Sequence, residues 1–113
     1  MTRRVAMAFL ATLATVMVAT AARAAEPKEI PITIENNRFS PEEIRVKAGE
    51  PFVLVVTNKD KAPEEFESKD LRIEKVVPAG KTMKIRVRAL KAGTYPFVGE
   101  YHENTAKGRI IAE

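Results

Sequence analysis

The sequence predicts an all-β domain, a Greek-key antiparallel β-sandwich, preceded by a short export leader. Three observations lead there. Five stretches alternate apolar and polar residues with a period of two, as half-buried strands do. Past residue 24, no helical period lasts more than a turn or two. Gly, Pro, Asn and Asp separate the alternating stretches at the spacing of a sandwich.

The elements follow in order. Glu29-Ile-Pro-Ile-Thr-Ile-Glu35 sets Ile30, Ile32 and Ile34 on one face. Pro31 has no N–H to give to a ladder, which argues for an edge strand. Glu43-Ile-Arg-Val46 comes next and ends in the turn Lys47-Ala-Gly-Glu-Pro51. Phe52-Val-Leu-Val-Val-Thr57 is almost continuously apolar and is expected at the centre of a sheet. Leu71–Val76 and Tyr95–Val98 are shorter strand candidates, Met83–Arg88 alternates with its cations toward solvent, and Arg109–Ala112 closes the chain. Leu90-Lys-Ala-Gly-Thr-Tyr95 fits a tyrosine corner, in which the hydroxyl bonds back to upstream backbone; the alternative is a tyrosine simply packed in its strand.

Residues 1–24 read as a cleaved signal peptide, leaving 25–113 as the mature domain. Arg3 and Arg4 open it, an apolar run from Val5 to about Val18 follows, and Ala22-Arg23-Ala24 offers small residues for the peptidase. The run is shorter than the roughly 20 residues of a membrane span, so no membrane insertion is expected after cleavage. The paired arginines match the twin-arginine route only loosely, and the ordinary secretion route into the periplasm is expected.

Removing the leader changes the charge argument. The chain carries 19 Lys and Arg against 15 Asp and Glu, but Arg3, Arg4 and Arg23 leave with the peptide, so the mature domain is close to neutral at +1. No basic block with interleaved aromatics remains, which excludes nucleic acid as an expected partner. The chain has no cysteine, so an exported domain of this size must hold together by its core alone.

Several segments taken together resemble a cupredoxin. Ile44-Arg-Val-Lys-Ala-Gly49-Glu-Pro-Phe52 through Asn58 is similar to that family's second and third strands. Val77-Pro78-Ala-Gly80 is similar to its proline-glycine turn, Gly93-Thr-Tyr95-Pro-Phe97 to the strand leading into the copper loop, and Lys107-Gly108-Arg-Ile-Ile to its final strand. The resemblance places the first copper histidine at Glu64, the cysteine near Gly99, the second histidine at His102, and the axial methionine at Thr105-Ala106. Only His102 keeps the family's ligand type, and without a thiolate, blue-copper chemistry is excluded. Glu65-Phe66-Glu67-Ser and Gly99-Glu100-Tyr-His102-Glu103 resemble the iron-associated cupredoxin-like group of EfeO-type proteins and of Ftr-type ferrous-iron uptake systems. That resemblance implies periplasmic binding of iron, copper or both beside an inner-membrane iron permease. It leaves open whether ferrous iron is oxidised with the help of copper.

The residues themselves point the same way. Carboxylates are hard donors, and one imidazole shifts the choice toward iron, copper or zinc. In a strand, Glu65 and Glu67 share one side and Phe66 takes the other. With the loop of Glu100 and His102 at the same end of a cupredoxin-like sandwich, the expected metal residues are His102, Glu100, Glu67, Glu65 and Glu64. Asp70, Glu74 and Glu103 are expected as outer or solvent groups. Against this, the acids can form a solvated edge, paired with Lys69, Arg72 and Lys75. Two functions therefore stand: a metal-binding accessory protein of ferrous or ferric iron uptake, or a metal-free sandwich that docks a basic partner through its acidic end. An acid–base enzyme is the weaker third reading, because no nucleophile or enclosed pocket motif is present.

Overall fold

The computed structural model describes residues 2, 3, 6–8, 10–17 and 26–113. Between residues 2 and 17, the described residues carry no helix or strand and leave Met7, Leu10, Leu13, Val16 and Met17 exposed. Ala22-Arg23-Ala24, the expected cleavage site, lies outside the described residues. Among the described residues, no helix is long and apolar enough to cross a membrane.

Nine strands follow: β1 Lys28–Glu35, β2 Arg38–Ser40, β3 Glu43–Val46, β4 Phe52–Asn58, β5 Glu64–Ser68, β6 Ile73–Val77, β7 Thr82–Val87, β8 Gly93–Gly99 and β9 Lys107–Ala112. They form a four-stranded sheet ordered β2-β1-β4-β7 and a five-stranded sheet ordered β3-β9-β8-β5-β6. The architecture is the expected β-sandwich, with one difference in pairing. The sheets are mixed, because β1 runs parallel to β4 and β3 parallel to β9. A chain that crosses between sheets before returning beside an earlier strand can arrive in the same direction.

The period-two pattern becomes burial. Ile32 and Ile34, Phe52, Leu54 and Val56, and Ile85 and Val87 are buried, with more exposed residues between them. The strand Phe52–Asn58 is central, between β1 and β7. The placement of Pro31 corrects the edge-strand expectation. β1 lies between β2 and β4, but β2 pairs only with Thr33, Ile34 and Glu35, so Pro31 has no ladder partner on that side. The proline needs only a locally open side. The tyrosine corner forms: the Tyr95 hydroxyl donates to the Lys91 carbonyl at 2.8 Å. Met83 is half-buried against the core.

Three rings tie the sheets together beneath the acidic end. Phe39 meets Phe66 and Phe97 edge-on with centroids 5.8 and 5.0 Å apart, and Phe66 stacks on Phe97 at 4.9 Å. Phe66 and Phe97 belong to β5 and β8, so this packing sets the separation of the two strands that frame the site. Gly108 is required beside it, since a Cβ there would enter the Phe97 ring. The buried amide of Asn58 donates to the Ala62 and Val77 carbonyls at 2.9 and 3.0 Å, and its oxygen accepts the Asp60 N–H, shaping the loop into β5. Asp60 accepts from the Asn36 and Asn37 N–H groups, holding the β1–β2 turn where both residues have positive φ, 55° and 57°.

Phe97→Ala removes the ring that both other aromatics contact. It is expected to cost about 3–5 kcal/mol of unfolding free energy in urea denaturation, with far-UV signal retained. A loss under about 1 kcal/mol would show that the ring cluster does not set the spacing of β5 and β8.

Candidate metal centre

β5 carries four polar residues around Phe66, and the pleat sorts them. Phe66 turns to the core, and with it Glu64 and Ser68, 2% exposed each; Glu65 and Glu67 take the outer face of the five-stranded sheet. The Ser68 hydroxyl is satisfied by the Pro96 carbonyl at 2.9 Å. Glu64 is an inward carboxylate and needs donors.

It finds three. Glu64 Oε1 accepts the N–H groups of Glu65 and Tyr101, both at 3.0 Å, and Oε2 meets His102 Nδ1 at 2.6 Å. The last two donors come from the 3-10 turn Glu100–His102 that follows β8, so this one carboxylate clamps that turn to β5. Room for it comes from small residues. A Cβ on Gly99 would lie 2.6 Å from Glu64 Cδ and 2.7 Å from the Cβ of Ala106. The Gly99 N–H to Ala106 carbonyl bond, 2.8 Å, and the Ala106 N–H to His102 carbonyl bond, 2.8 Å, close the loop around it. Thr105 donates to the Asn37 carbonyl at 2.7 Å and ties this loop to the β1–β2 turn.

The clamp assigns the imidazole. A carboxylate that accepts from the ring selects the tautomer with the hydrogen on Nδ1, which in a neutral imidazole puts the lone pair on Nε2. The His102 side chain is 32% exposed. This is the carboxylate–imidazole pairing that orients histidine ligands in metal proteins. Glu64 is thus committed inside the protein, where it orients His102.

The other expected residues gather on the outer face. Register sets Glu67 directly opposite Glu74, and Glu65 opposite Val76. One carboxylate oxygen each from Glu65, Glu74 and Glu100 lie within 4.8 Å of one another. Glu65 beside it holds the Glu100 carboxyl above its ordinary value, and lost solvation and Glu103 act in the same direction. The Tyr101 hydroxyl is also raised, by lost solvation first and then by Glu65. The structure therefore divides the five expected metal residues into an interior pair, Glu64 and His102, and an outer group, Glu65, Glu67 and Glu100. It adds Glu74, for which the sequence alone predicted no ligand role; the missing signal was the β5–β6 register.

Lys69, Arg72 and Lys75 do not neutralise this group. Among the described residues, no Lys or Arg nitrogen lies within 4.0 Å of Glu65, Glu67, Glu74, Glu100 or Glu103. Glu43, by contrast, bonds Arg109 and Arg45, and the Arg109 bond holds its carboxyl below the ordinary value. Like charges directly opposite in a ladder are destabilising, so the Glu67–Glu74 pair opposes the fold unless something neutralises it.

A family model described as a cupredoxin-like domain matches residues 6–112. An uncharacterised protein of Rickettsia prowazekii (strain Madrid E) is 39% identical over 83 residues, covering 74% of this chain and 66% of the relative, so the match spans just under two thirds of the relative's length. Auracyanin A, a "blue" copper protein from Chloroflexus aurantiacus, superposes with a TM-score of 0.66 at 15% identity, covering 77% of this chain and 99% of that one. An apo copper binding protein solved by NMR gives 0.66 at 24% identity, covering 75% and 86%. The metal binding domain of the Streptococcus pneumoniae D39 Cu(I) exporting P-type ATPase CopA gives 0.64 at 17%, covering 75% and 84%. These likenesses show the fold. A blue-copper centre does not fit this chain: it needs a cysteine thiolate, the chain has none, and the Glu64 carboxylate lies against Gly99.

Two outcomes test the geometry. Glu64→Gln keeps the volume but replaces Oε2 with a donor, so the His102 proton should move from Nδ1 to Nε2 in ring-nitrogen NMR; an unchanged tautomer would refute the clamp. For Glu100, a folded pKa above its ordinary 4.5 means that the folded state holds the proton more tightly, so its stability contribution declines as pH rises through that range. Glu65→Gln should lower the Glu100 midpoint in a carboxyl NMR titration, and an unmoved midpoint would refute the contact.

Proposed function

This chain belongs to the cupredoxin-like domain family, and from that premise we propose that it is a periplasmic metal-binding accessory protein of iron uptake, holding iron for an inner-membrane permease. The observation that carries the reading is His102: its Nδ1 is committed to Glu64, and its Nε2 is left as a donor. The same three-residue turn holds Glu100, flanked by Glu65 and Glu67.

Imidazole with carboxylate oxygen suits borderline cations, ferrous iron among them, with copper and zinc as competitors. The soft donors that favour Cu(I) are missing: there is no cysteine, and Met83 packs against the core. Copper binding by the structural neighbours supports metal handling on this fold, while iron is inferred from the donor set and from the resemblance to iron-uptake proteins. The export-leader pattern of residues 1–24 supports the periplasm. A partly exposed site with few protein ligands suits a carrier, which must release its ion. The unneutralised acids favour one second reading, in which the same end docks a basic partner without metal.

Anaerobic ferrous titration of the purified chain by calorimetry, repeated with cupric and zinc ions, separates the two. Expected is saturable binding, micromolar or tighter, weakened at least about tenfold by His102→Ala. Absence of uptake for all three ions would refute metal capture in favour of docking, and uptake untouched by His102→Ala would remove the imidazole from the site.

A further inference from the structure

We propose that the open seam between β6 and β7 is a docking cleft for an acidic, extended segment of a partner protein. None of its cations belongs to the metal centre, and nothing in it depends on a bound ion.

Charge is segregated along the chain. Residues 69–88 carry seven Lys and Arg against Asp70 and Glu74, a net of +5 in a mature domain that is +1 as a whole. The fold gathers these cations along one side. β6 and β7 are the outermost strands of their sheets, and the turn 78–81 joins them. They do not pair with each other: β6 pairs with β5, and β7 with β4. Each therefore presents an edge whose backbone N–H and C=O groups have no ladder partner.

Between the two edges lies a cleft of about 410 Å³. Buried Ile85 and half-buried Ile73 form its apolar part, and exposed Arg72, Lys75, Lys84 and Arg86 stand around them. Arg88 fixes one end by donating to the Leu71 carbonyl at 3.2 Å. Lys84 is held by Glu29 at 2.7 Å, but among the described residues no carboxylate lies within 4.0 Å of Arg72, Lys75 or Arg86. Glu74 also lines the cleft and pairs with none of them. Three cations are thus left for a ligand.

These features specify the partner's chemistry. The cations call for carboxylates, the isoleucines for an aliphatic side chain, and the bare edges for backbone N–H and C=O groups. An extended strand that alternates acidic and apolar residues offers all three. A lipid surface offers anions, but it is flat and brings no N–H groups to an edge. The same cations repel the β6 edge of a second copy, so the cleft selects an unlike, acidic strand.

Fluorescence anisotropy of a short labelled peptide of alternating glutamate and valine, titrated with the purified chain at low ionic strength, tests this. Expected is saturable binding that weakens as salt is raised. Affinity should fall at least about tenfold in the Arg72→Gly/Arg86→Gln double variant and stay unchanged in Lys107→Gln, which alters an exposed cation of β9. Arg72 has a φ of 56°, which glycine adopts readily, and Arg86 is exposed, so the double variant should keep its fold, as circular dichroism verifies. The same peptide N-methylated at alternate residues should lose binding, because it cannot pair with an edge. No saturable binding, full affinity in the double variant or full affinity of the methylated peptide overturns the proposal. So does a preference for vesicles of equal parts phosphatidylcholine and phosphatidylglycerol over the peptide.

Discussion

A carboxylate is buried at the end of this sandwich, and the local architecture is arranged around its need for donors. Glu64 is 2% exposed and gathers two backbone N–H groups and an imidazole. Without those bonds, desolvation would favour leaving it in water. With them, it joins β5 to the turn after β8, and it requires residue 99 to be glycine. The Phe39, Phe66 and Phe97 cluster beneath holds the two strands at the spacing this clamp spans.

Turning Glu64 inward has a geometric consequence for its neighbours. In a pleated strand, Phe66 and Ser68 must follow it, and Glu65 and Glu67 must face out. The acids of one short segment thereby acquire two roles. One orients a histidine from the inside; the others share the surface with Glu74 and Glu100, with no ion pair to a Lys or Arg among the described residues. The contrast with Glu43, held by two arginines, shows that this sequence pairs its acids elsewhere.

Copper proteins are among the solved structures that this chain resembles, but it has no cysteine, and this end of its sandwich carries carboxylates and one imidazole. The fold persists because its core does not depend on the ligands.

Much of the fold was legible along the chain. The alternation of Ile30, Ile32 and Ile34, the apolar run of β4 and the tyrosine corner are local patterns, and burial follows them directly because strand side chains alternate by necessity. His102 was conspicuous as the only histidine. β2 escaped notice because three residues carry too little pattern, whereas β5 was legible only around Phe66, because its other inward positions are a glutamate and a serine. The parallel pairings, the partner of His102 and the place of Glu74 came only with the tertiary structure. Each depends on which strands lie side by side and in what register, and packing across the core decides that, not the order of residues within any one strand.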